Sequence, residues 1–287
     1  MRTAAGGRQD GRQDGRQEQP AILTCAVVGS ILTGNPNQPR TRAEVIVSAI
    51  EAAQAGASVL HIHARTSDGE ITQSPDDYLA IKRAVLSEVE DVVLNFTTGG
   101  KLGMDPAERR RSLDAGPELA SLNCGSVNFG PGDEVFLNPK SLIEELAREM
   151  DARGIVREYE CFDIGMAQSA RLLIAHAPGP PGLMHLVLGV IGGAPPSIET
   201  ICAFRSLVPE RVPWMVTAIG RHNFPTMAIV LALGGHVRTG LEDVAYLGPG
   251  EHALSNAQLV RRAKALCEAV GRPVATPQQA RAILRGA

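Results

Sequence analysis

Apolar positions in this chain fall into two alternating patterns from Ala21 onward. Short continuous apolar runs bounded by glycine or proline are strand-like, and longer segments with apolar residues on one face are helix-like. Strands are predicted over 22–29, 58–64, 92–98, 119–129 (running into a loop), 156–164, 183–190, 214–219 and 237–241. Helices are predicted over 41–56, 75–90, 106–115, 138–153, 166–175, 197–207, 225–233 and 256–270, with a short tail over 277–284. Local signals support several boundaries. Thr41 with Glu44 forms a capping box, Gly56 and Gly154 are helix stops, and Pro75 opens a helix.

Strict strand–helix alternation implies a parallel sheet with helices outside it. Eight such units in about 265 residues match the α/β class and, within it, a (β/α)8 or TIM barrel. The rival is an open doubly wound sheet. Its usual dinucleotide loop is missing, because the segment from Gly29 to Gly34 does not have the required glycine spacing. Residues 1–20 stand apart: a Gly-Arg-Gln-Asp repeat with no core-forming side chain predicts a disordered leader or a start-site artefact. Residues 21–287 are expected to form a single catalytic barrel domain.

Strands of a parallel barrel are buried on both faces, so polar residues inside them need a reason. Here they fall on alternate positions near C-terminal strand ends: His61 and His63, Asn95 and Thr97, Ser121 and Asn123, Glu158 and Glu160, Arg238 and Glu242. Residues two or four apart in a strand share a face. The C-terminal rim of a barrel is where active sites form.

Overall composition narrows the function little but excludes some classes. The formal net charge is -3 and aromatics make up 3% of the chain, which argues against nucleic acid or anionic lipid as a partner. No apolar run approaches a membrane span, and no signal-peptide core is present. Five cysteines without a CxxC pair suggest reduced thiols and a cytoplasmic protein.

The rim residues themselves suggest chemistry. His61, His63 and Glu242 form a two-histidine, one-carboxylate set on strands that flank strand 1 in a closed barrel. Three ligands with an open position is the arrangement of catalytic zinc, and non-haem iron uses the same ligand types. A buried Arg238 is either a structural partner of a nearby glutamate or a clamp on a substrate carboxylate. Asp243 is a candidate general base beside the metal. Thr97, Thr98 and Gly99 begin a loop rich in hydrogen-bond donors. The Gly189–Gly193 segment is either an anion-binding loop or a tight turn. The other five histidines, His185 among them, take core or surface roles by default.

Five ordered motifs carry a family resemblance: Ser58-Val-Leu-His-Ile-His-Ala-Arg65, Asn95-Phe-Thr-Thr-Gly-Gly100, Ser121 to Phe129, Glu160 to Gly165 and Gly234 to Asp243. The chain from Ala21 onward resembles the β-keto acid cleavage enzymes. That resemblance implies a zinc-dependent barrel that converts a β-keto acid and acetyl-CoA into acetoacetate and a new acyl-CoA. It implies that His61, His63 and Glu242 hold Zn2+ and that Asp243 is the base. Arg238, Thr97 and Ser121 would hold the keto acid, and Glu160 (or Glu158) would support the site. It also implies a homo-oligomer, such as a tetramer. One departure stands out. The loop after strand 1 carries no acid where the type member recognises an amino group, which favours a neutral or apolar β-keto acid. The rivals are a metal-dependent hydrolase on the same barrel and a metal-binding scaffold without activity. The hydrolase would normally place further ligand histidines on strands 5 and 6.

Overall fold

The computed structural model describes residues 19–129 and 132–286. Eight parallel strands are present: β1 (Leu23–Ala26), β2 (Val59–Ile62), β3 (Val93–Phe96), β4 (Leu119–Asn123), β5 (Val156–Cys161), β6 (Leu183–Leu188), β7 (Trp214–Ala218) and β8 (Val237–Thr239). They pair in the order β8-β1-β2-β3-β4-β5-β6-β7. The remaining seam, β7 to β8, is closed by a parallel bridge between Met215 and His236, where the His236 amide donates to the Trp214 carbonyl at 2.8 Å. The fold is therefore a (β/α)8 barrel.

Helices α1 (Arg42–Gln54), α2 (Pro75–Glu88), α3 (Pro106–Arg109), α4 (Lys140–Ala152), α5 (Ile164–Ala175), α6 (Ile198–Leu207), α7 (Asn223–Ala232), α8 (Asn256–Ala269) and α9 (Pro277–Arg285) follow the strands. The Thr41–Glu44 capping box forms as predicted and fixes the start of α1. Two predicted elements differ. The helix expected over 106–115 is one α-turn followed by a 3-10 segment, Arg110–Ala115. The strand expected over 119–129 stops at Asn123, and Val127–Asn128 pairs with Val135–Phe136 as a separate antiparallel ribbon. A second ribbon, Tyr246–Gly248 with Glu251–His252, follows β8. Of the leader expected over 1–20, residues 1–18 lie outside the described residues. Gln19 packs on the barrel, its carbonyl accepting from Arg272 Nε at 3.1 Å. Among the described residues no helix is long and apolar enough to cross a membrane.

The barrel interior is layered by depth. Its N-terminal end is an apolar plug: Ile22, Val59, Val93, Leu119, Val156, Leu183 and Met215, each from β1–β7 or its first flank, packed under Ala280 and Leu284 of α9. Arg281 ties α9 to Asp91 and Glu118. Two residues further along each of these strands, parity returns the chain to the interior, and the side chains there are polar: Thr24, His61, Asn95, Ser121, Glu158, His185 and Thr217, joined by Arg238 of β8, all buried. Sealed below by apolar side chains, the barrel can open only at its C-terminal rim.

Candidate metal centre and active site

A cavity of about 1080 Å³ occupies that rim. On β2, His61 is the last residue but one, and His63 follows the strand directly, so alternation turns both imidazoles inward. Their Nε2 atoms each lie 3.7 Å from Glu242 Oε1. The candidate ligand atoms of His61, His63 and Glu242 all fall within 4.8 Å of one another.

Glu242 does not reach this position along a strand. Strand β8 ends at Thr239, so the expectation that Arg238 and Glu242 share a strand face is corrected. Gly240 turns the chain with φ +144°, and a Cβ built there would lie 2.0 Å from the Ala26 carbonyl oxygen. The turn is closed by the Asp243 and Val244 amides, which donate to the Gly240 carbonyl at 3.0 and 2.9 Å. Gly29 gives the glutamate its room, because a Cβ at that position would meet Glu242 Cγ at 2.8 Å. Gly240→Ala is therefore expected to lower stability by more than about 1 kcal/mol and to displace Glu242 and Asp243 together. A thermal melt paired with metal-binding titration checks both effects.

Arg238 organises the carboxylates. Its Nε lies 2.9 Å from Asp243 Oδ2 and its Nη2 lies 3.0 Å from Asp243 Oδ1, a two-pronged pair. The same Nη2 donates to Glu242 Oε1 at 2.6 Å. Nη1 is buried without a hydrogen-bond partner and faces Glu160 Oε1 at 3.8 Å. Burial opposes the charge of Arg238, but Asp243 and Glu242 hold its pKa well above the ordinary value.

The metal-ligand candidates have the protonation a cation needs from two of its three donors. Burial, then Arg238 and Arg65, bring His63 down to about 3, and burial, then Arg238 and His63, put His61 well below its usual range. Both imidazoles are neutral. Burial pushes the Glu242 carboxyl up to about 8 against the pull of Arg238. A divalent cation among these donors would reverse that rise. Two neutral imidazoles and a carboxylate, open toward the cavity, fit a zinc-type ion.

Below the rim lies a second polar set. His185 Nδ1 approaches Glu158 Oε1 at 2.7 Å, off-line for a hydrogen bond, while His185 Nε2 meets Thr217 Oγ1 at 3.0 Å. Asn95 donates to the other oxygen of Glu158. Burial raises the Glu158 carboxyl, but His185, Arg238 and Asn95 together bring it below its usual value. Of the two strand-5 acids, Glu158 is thus committed to the barrel interior. Glu160 lines the cavity, and burial raises its carboxyl. His185 on β6 is held beneath the cavity, and β5 carries no histidine, so the ligand set of the hydrolase rival does not assemble.

The expected substrate contacts divide the same way. Thr97 and Gly99 line the cavity, as does Arg238. Thr98 and Ser121 do not: the Thr98 amide donates to Ser121 Oγ at 3.2 Å and Thr98 Oγ1 donates to the Ser121 carbonyl at 2.7 Å, which fastens β3 to β4. Asn123, the upper polar residue of β4, lines the cavity instead, with both amide atoms buried and unpartnered. The Gly189–Gly193 loop is a tight turn. Its Gly193 amide donates to the Val190 carbonyl at 2.9 Å and the adjacent Ala194 amide to the Phe162 carbonyl at 2.7 Å, so these amides do not form an anion nest.

Sequence reasoning missed Arg109 and Arg65. Buried Arg109 donates to the Thr98 and Leu137 carbonyls at 2.9 Å each and stacks over Phe136, which binds the Val127–Phe136 ribbon to the rim. Arg65 donates to the Gly29 carbonyl and anchors the loop after β1. A charged residue just past a strand end was the available signal for Arg65; nothing local marks Arg109.

A closed barrel with neutral imidazoles, a carboxylate and an arginine-held aspartate at its C-terminal rim defines a (β/α)8 enzyme with a candidate metal centre. The chain belongs to the beta-keto acid cleavage enzyme family, whose model matches residues 20–285. It is 38% identical over 266 residues to the 3-keto-5-aminohexanoate cleavage enzyme of Acetoanaerobium sticklandii, covering 92% of this chain and 97% of that one. It is 37% identical over 274 residues to the 3-oxoadipate:acetyl-CoA acetyltransferase of Cupriavidus necator, covering 93% and 95%. In solved structures, a ternary complex of ObcA with a C4-CoA adduct and oxalate superposes with a TM-score of 0.74 at 21% identity. That match covers 87% of this chain and 67% of the other, and it is a likeness of fold.

Proposed function

We propose that this protein is a zinc-dependent transferase that converts a β-keto acid and acetyl-CoA into acetoacetate and a new acyl-CoA. The observation that carries the reading is a carboxylate, Asp243, gripped by Arg238 and adjacent in the chain to Glu242 of the His61–His63–Glu242 cluster. A metal held by His61, His63 and Glu242 would supply Lewis-acid stabilisation of the negative charge that develops on the acid.

The remaining work falls to the side chains. Arg238, through its unpartnered Nη1, offers a donor to the acid's carboxylate, and Asn123 offers its free amide. Thr97 lines the same wall. Asp243 removes a proton from the carbon between the two carbonyl groups. That carbon forms a bond to the acetyl carbonyl carbon, and CoA thiolate leaves. The thiolate then adds to the original keto carbon, and the bond between that carbon and the central carbon breaks. The electron pair stays on the central carbon, which regains its proton from Asp243. Acetoacetate and the acyl-CoA result, with no covalent link to the protein. Glu160 keeps the free face of Arg238 in a carboxylate field. Arg221 and Arg262 line the mouth near β7 and α8 without a carboxylate partner among the described residues, a setting suited to the phosphates of CoA.

The working form is a cytoplasmic homo-oligomer. Purified protein, incubated with acetyl-CoA and a panel of β-keto acids, should yield acetoacetate and the matching acyl-CoA, with zinc in the protein by elemental analysis. Absence of zinc, or cleavage that does not depend on acetyl-CoA, would sink the reading.

A further inference from the structure

In the polar layer beneath the rim, His61 Nδ1, Asn95 Oδ1, Glu158 Oε1 and His185 Nδ1 are buried without a hydrogen-bond partner. A buried polar atom left unpaired is costly. Two of these atoms face each other, since His185 Nδ1 lies 2.7 Å from Glu158 Oε1. The other two belong to residues that stand opposite one another on neighbouring strands. His61 of β2 is in register with Asn95 of β3, and both are buried in the barrel interior. Burial, then Arg238, His63 and His185, keep the His61 ring neutral; Asn95, within hydrogen-bonding reach of it, favours the proton.

The orientation of the Asn95 amide decides what His61 can do. Asn95 Nδ2 donates to Glu158 Oε2. Burial raises the Glu158 carboxyl, but His185, Arg238 and Asn95 outweigh it, and an ionised carboxylate only accepts. The reverse amide orientation would set oxygen against oxygen. Glu158 therefore leaves Oδ1, an acceptor, as the amide atom free to meet His61, and an acceptor calls for a hydrogen on Nδ1. A neutral imidazole carries one proton, so Nε2 then presents a lone pair. Nε2 is the atom on the cluster side, 3.7 Å from Glu242 Oε1. With the amide reversed, Nδ2 would donate to Nδ1, and the ring proton would sit on Nε2 and block a cation.

We infer that Asn95, seated by Glu158, is a positioning residue for the metal ligand His61: its Oδ1 takes the Nδ1 proton and keeps the Nε2 lone pair aimed at the ion. The inference rests on the metal reading under Proposed function. Neither Asn95 nor Glu158 lines the cavity, so both act through His61 and not on the substrate. A buried partner of this kind fixes the ring of a ligand histidine and raises its basicity. Thr217 belongs to the same layer but meets only the far side of it, its Oγ1 lying 3.0 Å from His185 Nε2.

In metal-free protein labelled with 15N-histidine, NMR should find the His61 proton on Nδ1, the His61 signals being those missing from His61→Ala. A proton on Nε2 overturns the inference. Asn95→Leu keeps the bulk and removes both polar atoms. In that variant the Nδ1–H form should no longer predominate, because Glu242 on the Nε2 side is then the nearby proton acceptor. By competition with a chelating dye, the zinc Kd should rise about 10–100-fold in Asn95→Leu and by less than about threefold in Thr217→Val, which loosens the same layer without touching Asn95. Equal losses in the two variants, or an unaltered Kd in Asn95→Leu, overturn the inference and leave the metal reading standing. A parent protein that binds no zinc removes the metal reading and the inference with it, even with the proton on Nδ1. If Asn95→Leu does not fold, Glu158→Gln takes its place. A side-chain amide there no longer dictates which way Asn95 sits, so the zinc Kd should again rise by about tenfold or more. An unaltered Kd and an unaltered His61 tautomer in Glu158→Gln overturn the inference.

Discussion

Asp243→Asn is expected to bind metal as the parent does and to lose about 10²–10⁴-fold in kcat/KM, the usual contribution of a positioned base. The asparagine carbonyl can still accept from Arg238 Nε, which now lies 2.9 Å from Asp243 Oδ2, so the turn and Glu242 should stay in place. What disappears is a group able to take and return a proton. Two readouts separate this from a structural defect. Zinc content should be unchanged, and enzyme-dependent exchange of the central-carbon protons with D2O, followed by NMR without acetyl-CoA, should be lost. Full exchange or full turnover in Asp243→Asn would remove Asp243 from the role of base.

His61→Ala should abolish metal retention and with it activity. Only His63 and Glu242 would remain, and two donors leave a zinc-type ion without the three protein ligands of a catalytic site. The parent protein, stripped with a chelator, should lose activity and recover it when zinc is added back, whereas His61→Ala should not recover. Circular dichroism of the stripped parent should stay native. The apolar plug beneath the rim, from Ile22 to Met215 under α9, contains no member of the His61–His63–Glu242 cluster. Unfolding on metal removal would instead make the ion structural. Retention of stoichiometric zinc by His61→Ala would show that the ligand set is wrong.

The barrel was legible because its signals are local and repeated. Short apolar runs alternate with amphipathic segments eight times over, with a helix cap at Thr41 and Glu44 and glycine stops at Gly56 and Gly154, and such signals do not depend on distant parts of the chain. The pairs of inward polar residues were legible for the same reason, since a strand has period two. His61 and His63, Thr97 and Glu160 face the cavity as that parity requires. The two ribbons were not legible. Val127–Asn128 and Tyr246–Gly248 are too short for a periodic signal, and their pairing partners lie across loops.

Sequence alone determined the eight-unit alternation, the parity of the polar positions and the identity of the His61–His63–Glu242 set. Depth and direction were left to the tertiary structure. Parity says that Ser121 and Asn123, or Glu158 and Glu160, point inward together. It does not say which of each pair is sealed below the rim, because that is fixed by the stagger of neighbouring strands and by where α9 plugs the barrel. The lower members, Ser121 and Glu158, therefore serve the packing of β3, β4 and β6, and the upper ones, Asn123 and Glu160, face the cavity. Nor could spacing foresee that Glu242 arrives through a turn. That depends on the close approach of Gly240 to the Ala26 carbonyl, a contact between β8 and β1 that exists only once the barrel has closed.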